Sequence, residues 1–84
     1  RAAAASGLEP RAQARFEALR ALRAELARAQ GVPPYVVFHD VTLRAIAAAD
    51  PRTSAELARL PGIGAAKLAR YGPAVLAALA ENAP

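Results

Sequence analysis

Two short stretches of this chain carry residue types suited to gripping a polyanion. The first is Leu60-Pro61-Gly62-Ile63-Gly64, followed by Lys67 and Arg70. Two glycines let a backbone bend tightly and approach a ligand with no side chain in the way. Free N–H groups at the start of the next helix can then face a phosphate, with Lys67 and Arg70 adding charge nearby. An equally good reading makes this a tight interhelical turn whose glycines serve geometry alone. The second stretch is Val32-Pro33-Pro34-Tyr35-Val36-Val37-Phe38. Tyr35, held between prolines and an apolar run, has little freedom to lose when its ring stacks on a base. The other reading, and the commoner role of a tyrosine, is a core residue with its hydroxyl hydrogen-bonded.

The remaining polar residues point to less chemistry. Arg11, Arg15, Arg20, Arg23 and Arg28 avoid the apolar stripe of their helix, as any solvated face would. Glu17 and Glu25 are interspersed among them and can pair at helical spacing, for instance Glu25 with Arg28. His39, at a helix start, reads as a cap or surface group, since the adjacent Asp40 cannot stand behind its ring. No nucleophile with a base, no paired carboxylates and no metal-ligating cluster stands out, so catalytic and metal-binding residues are expected to be none. The chain has no cysteine and one histidine, which excludes disulfides, thiolate zinc sites and His-rich metal sites.

The elements that position these residues are helical. The 84-residue chain is 55% hydrophobic but only 5% aromatic, so its core must be Leu, Val, Ile and Ala. Alanine is the best helix former, which points to an all-α fold of one domain. Residues 1–9 read as a flexible linker end and 10–82 as the domain. Pro10 suits a first helical turn. From there Ala12, Phe16, Leu19, Leu22, Leu26 and Ala29 form an apolar stripe that ends at Gly31. The paired prolines predict an extended strap with Val36, Val37 or Phe38 turned inward. His39-Asp40 opens a second helix with Leu43, Ile46 and Ala47 inside, and Asp50-Pro51 stops it. Thr53 and Glu56 fit a capping box for a short helix carrying Leu57 and Leu60. A further helix, Ala65–Tyr71, is predicted to break at Gly72-Pro73 before a last one bearing Val75, Leu76 and Leu79. The expectation is five helices in an orthogonal bundle.

Charge agrees with a polyanionic partner. The formal net charge is +4, and ten of the eleven basic residues are arginine, which suits bidentate phosphate contacts. A coding bias toward Ala and Arg would produce the same excess. No apolar run approaches the length needed to cross a bilayer, so a soluble protein without membrane partners is expected. The Ala-rich start lacks the branched apolar segment of a signal peptide. Without an initiator Met, the chain reads as a piece excised from a longer protein.

Taken in order, these features form a pattern. An Arg-rich helix leads into Gly-Val-Pro-Pro-Tyr-Val-Val-Phe-His-Asp, then Thr-Leu-Arg, Asp-Pro and Thr53, then Leu-Pro-Gly-Ile-Gly-Ala-Ala-Lys-Leu-Ala-Arg-Tyr-Gly. From about Phe16 to Leu79 the chain closely resembles the HRDC domain of RecQ helicases and RNase D, and its glycine turn resembles a helix-hairpin-helix element. The resemblance implies a five- or six-helix orthogonal bundle tethered behind a catalytic core. It also implies an auxiliary role: binding single-stranded or junction-like DNA without sequence specificity and tuning substrate choice. By the same resemblance the DNA-binding features are Tyr35, Lys67 and Arg70, with Gly62 and Gly64 shaping the turn. The strap is most similar to the bacterial RecQ form, which implies a cytoplasmic, nucleoid-associated parent helicase using ATP and Mg, with no cofactor in this domain. Two departures stand out: His39 where a relative has Ser or Asn, and Ala65-Ala66 where a further basic residue could stand. The alternative role is regulatory docking on the parent helicase core or a partner protein.

Overall fold

A computed structural model describes residues 9–83. Five helices follow one another: α1 Pro10–Gln30, α2 Pro34–Val37, α3 Asp40–Ala49, α4 Ser54–Ala58 and α5 Ala65–Glu81. The described residues contain no strand, and the fold is all-α as expected. α1 is the central element, touching α2, α3 and α5, while α4 packs on α5. The predicted linker falls outside the described residues except for Glu9. That residue belongs to the helix start, its carboxylate accepting the N–H groups of Arg11 at 2.6 Å and Ala12 at 3.2 Å.

The apolar stripe of α1 works largely as its spacing predicts. Ala12, Phe16 and Leu19 are buried, and Leu22 and Leu26 pack against the core from its edge, but at the C-terminal end Ala27 is buried and Ala29 exposed. Gly31 ends the helix in the left-handed conformation, with φ of 68°. In α3, Leu43, Ile46 and Ala47 are buried together with Thr42. Asp50 takes the left-handed C-cap of this helix, which a short polar side chain tolerates. Thr53 caps α4 by accepting from the Glu56 N–H at 3.1 Å. The reciprocal arm of the capping box is shifted: the Glu56 carboxylate accepts from Arg52 N–H, one residue before the cap, at 2.7 Å.

The number of helices matches the expectation, but two assignments change. The strap is not extended throughout, because Pro34–Val37 forms one helical turn. Pro33 sits outside it as an extended N-cap, and Pro34 occupies the first helical position, where a missing N–H costs nothing. Two adjacent prolines therefore start a turn here and do not forbid it.

The second change is at Gly72-Pro73, where no break occurs and α5 runs through Pro73. The residue before a proline is driven out of the helical region partly by its Cβ, which Gly72 lacks. The missing Cβ also admits neighbours, since a methyl there would lie 3.3 Å from Leu68 Cδ1 and 3.9 Å from Leu57 Cδ2. Tyr71, Gly72, Val75 and Leu79 are all buried, so one continuous apolar face holds the helix across the proline. Pro73 itself faces solvent. Its ring still removes a helical hydrogen bond, so Pro73→Ala is expected to raise unfolding free energy by about 1–3 kcal/mol in urea titration. A destabilised variant would mean that the proline ring itself contributes to the fold.

Candidate nucleic-acid interface

The candidate surface is organised by Val37 and Phe38, which end α2 and are 0% and 3% exposed. The Phe38 ring meets Tyr71 of α5 edge-on, with centroids 5.5 Å apart. Its carbonyl accepts from Arg23 Nη1 of α1 at 2.9 Å. Lys67 Nζ stands 5.6 Å from the centre of the same ring, within cation–π range. One residue thus ties the α2–α3 junction to both long helices.

Burying Val37 and Phe38 turns the preceding residues outward. Tyr35 is 59% exposed and Val36 44%. The core tyrosine is instead Tyr71, whose hydroxyl accepts from the Gln30 amide at 2.8 Å. Arg70 lies over the Tyr71 ring at 5.5 Å. Lys67 and Arg70 line a shallow groove of about 200 Å³ with Gln30, Val36, Ala66 and Tyr71. The structure therefore brings Lys67 and Arg70 together beside α2. Tyr35 adjoins this groove through Val36, but its own ring lies outside it, stacked on His39 with centroids 6.1 Å apart.

The two glycines of the turn differ in what they do. Gly62 has φ of 83°, and a Cβ added there would collide with the Thr42 hydroxyl, so both conformation and space demand glycine. Gly64 is the N-cap of α5 at an ordinary φ of −86°, with nothing within 4 Å of an added Cβ. It supplies no side-chain cap, and the leading N–H groups of α5 have no intrahelical acceptor.

The arginines of α1 are not one solvated face. Arg15 is buried, and its Nε donates to the Ala47 carbonyl at 2.8 Å, with Asp50 3.8 Å from its Nη1. Arg23 is also largely covered and pairs with Asp40 at 2.7 Å in addition to holding Phe38. Both reach polar groups that the next two helices bring over α1, which spacing along α1 alone does not reveal. Among the described residues the ion pair within this helix is Glu17–Arg20 at 3.3 Å, not Glu25–Arg28. Arg20 and Arg44 approach the Phe16 ring at 6.0 and 5.4 Å; the first follows from i,i+4 spacing on α1, and the second has no sequence signal. The hydrogen bond from Arg23 holds the Asp40 carboxyl below the usual carboxylate range against partial desolvation, and the charges of Arg23, Arg44 and Arg20 add to the effect. Its stabilisation is present above the ordinary carboxylate pKa and is lost as pH falls through the lowered value. With Asp40 mostly in solvent, that contribution is small.

His39 is the N-cap of α3, as its position suggested, but its side chain makes no capping bond. No cluster of three or more His, Cys, Asp or Glu able to hold a metal occurs among the described residues. No described helix is long and apolar enough to cross a membrane.

This architecture defines a small all-helical domain, and its residues 12–79 match the family model of the HRDC domain. The chain belongs to the HRDC domain family. It is 47% identical over 57 residues to the ATP-dependent DNA helicase RecQ of Bacillus subtilis, covering 68% of this chain and 10% of that protein. The Haemophilus influenzae RecQ is 37% identical over 80% of this chain and 11% of its own length. The ATP-dependent DNA helicase UvrD2 of Mycobacterium tuberculosis is 52% identical over 69% of this chain and 8% of its own. Among solved structures, the D. radiodurans RecQ HRDC domain 3 superposes with a TM-score of 0.78 at 46% identity, covering 80% of this chain and 88% of that one. The chain thus spans about a tenth of the length of the curated relatives it matches. It is an HRDC domain, similar to those of RecQ and UvrD2 helicases, and a small accessory module that is not itself catalytic.

The glycine turn yields a paired prediction. Gly62→Ala is expected to lower unfolding free energy by about 2 kcal/mol or more, through the left-handed φ and the clash with Thr42. In a Thr42→Ala background the same change should cost only about 1 kcal/mol, the conformational part. Gly64→Ser should be neutral or stabilising by up to about 1 kcal/mol, because serine is a good N-cap. Urea midpoints of the variants check all three.

Proposed function

We propose that this domain binds single-stranded or junction-like DNA without sequence specificity, and so tunes the substrate choice of a RecQ-type helicase. The observation that carries this reading is the exposed Tyr35 ring on the one-turn helix whose next residue, Val36, forms a groove with Lys67 and Arg70. An exposed aromatic beside cations suits single strands, since any base offers a face to stack on and the phosphates meet the charges. The uncapped start of α5 at Gly64 adds backbone N–H groups of the kind that hold phosphate oxygens. Gly62 shapes the loop that leads there. The net charge of +4 favours the same partner. Phosphate and base-face contacts carry no sequence information, which supports preference for structure over sequence. In this reading the parent is a cytoplasmic, nucleoid-associated bacterial enzyme that supplies ATP and Mg chemistry in another domain.

A second reading rests on apolar exposure. Val36 at 44% and Val41 at 69% exposed stand close in sequence to Tyr35, and such residues also suit docking on the helicase core or a partner protein. The cations over Phe38 and Tyr71 favour DNA as the first partner.

Anisotropy titration of fluorescent single-stranded and forked DNA, across a salt series, tests the proposal. Binding should weaken steeply with salt, and joint Lys67→Ala and Arg70→Ala changes should reduce the slope by about 1.4, roughly 0.7 per phosphate contact. Tyr35→Ala should cost about 1 kcal/mol or more of binding with little change in thermal stability. No binding at low salt, or unfolding by Tyr35→Ala, would overturn this assignment.

A further inference from the structure

We propose that His39 is a second ring of the strand-binding surface, taking a base face of single-stranded nucleic acid beside Tyr35. The inference rests on the DNA-binding reading above but adds a residue with its own observations. Position comes first. His39 is the N-cap of a ten-residue helix, where Ser, Thr, Asp or Asn would satisfy a backbone N–H through a side-chain oxygen. Its imidazole makes no such bond, so α3 forgoes that stabilisation. The residue is exposed, and its ring contact is with Tyr35, itself exposed.

Geometry comes second. The imidazole lies within 24° of the plane of the Tyr35 ring, with centroids 6.1 Å apart. Both residues are exposed, and each is held by a short, well-anchored piece of backbone: Tyr35 within α2, and His39 between buried Phe38 and the start of α3. Ordering such rings on a ligand costs little entropy. With the inner faces turned toward each other, a base meets the outer face of either ring.

Charge comes third. On the α5 side Lys67 stands over Phe38, the residue before His39. On the α1 side the neighbouring Asp40 is paired with Arg23 at 2.7 Å, which offsets the one negative group next to the ring. Arg44 follows one turn along α3. The start of α3 that carries His39 thus has Arg23 of α1 paired against it, and Lys67 of α5 stands over the ring of the preceding residue.

The test uses His39→Ser and His39→Phe in this domain, with fluorescein-labelled oligo-dT and a blunt DNA duplex as probes. His39→Ser removes the ring and restores a good cap. It is expected to raise the melting temperature by roughly 2–8 °C while weakening oligo-dT binding about fivefold or more, with duplex binding unchanged. His39→Phe keeps a stacking face and should bind oligo-dT within about twofold of the unaltered domain. Opposite movement of stability and affinity separates a binding ring from a structural one. The proposal is overturned if His39→Ser binds oligo-dT as the unaltered domain does, if His39→Phe is as weak as His39→Ser, or if His39→Ser unfolds the domain. Should the unaltered domain fail to bind oligo-dT at low salt, the DNA-binding function falls first. Binding that depends on Tyr35, Lys67 and Arg70 but not on His39 would remove this inference alone.

Discussion

The burial of Phe38 is the contact on which the rest of the candidate surface depends. Its ring is closed in by Tyr71, its carbonyl is held by Arg23, and Lys67 covers its open side. With Val37 and Phe38 pointing into the core, the one-turn α2 has only one way to face. Tyr35 and Val36 must then stand outside, Val36 in the groove with the α5 cations and the Tyr35 ring against His39. A full aromatic side chain removed from water contributes about 2–3 kcal/mol, well above the cost of exposing one tyrosine edge. The apolar anchor thus sets the orientation of the polar site.

Cations in this small domain divide into two kinds of work. Arg15 and Arg23 reach across helix boundaries to backbone carbonyls and carboxylates, and both are largely covered. Each guanidinium is held by a backbone carbonyl and a carboxylate, although Arg23 Nε is buried without a hydrogen-bond partner, and removing one partner would leave an uncompensated charge. Lys67 and Arg70 rest over aromatic faces, an arrangement that restrains the side chains without cancelling their charge. Their positive field stays available to a ligand. A count of basic residues does not distinguish the two kinds, whereas their partners do.

Backbone demands are just as unequal. Gly62 is required twice over, by a left-handed φ and by contact with Thr42, and so ties the turn to α3. Gly64 is required by neither, yet its lack of a side chain keeps the start of α5 open. Gly72 serves a third purpose, leaving room for the Leu68 side chain one turn earlier at the very point where Pro73 would otherwise end the helix.

The sequence by itself determined the all-α class, the limits of α1 at Pro10 and Gly31, the inner face of α3 and the Thr53 cap. Each depends on local periodicity or on a residue bonding its near neighbours in the chain, and such signals survive without knowledge of the fold. Motif order was also legible, and the HRDC family followed from it. Only the tertiary structure decided which tyrosine is core: Tyr71 has Gln30 and Phe38 to meet, partners far away in sequence, and Tyr35 does not. It likewise decided that α5 continues through Pro73, because the burial of Tyr71, Val75 and Leu79 outweighs a local penalty that sequence rules register alone. Arg15 and Arg23 became structural for the same reason, since the carbonyls they hold belong to segments that only folding brings over α1.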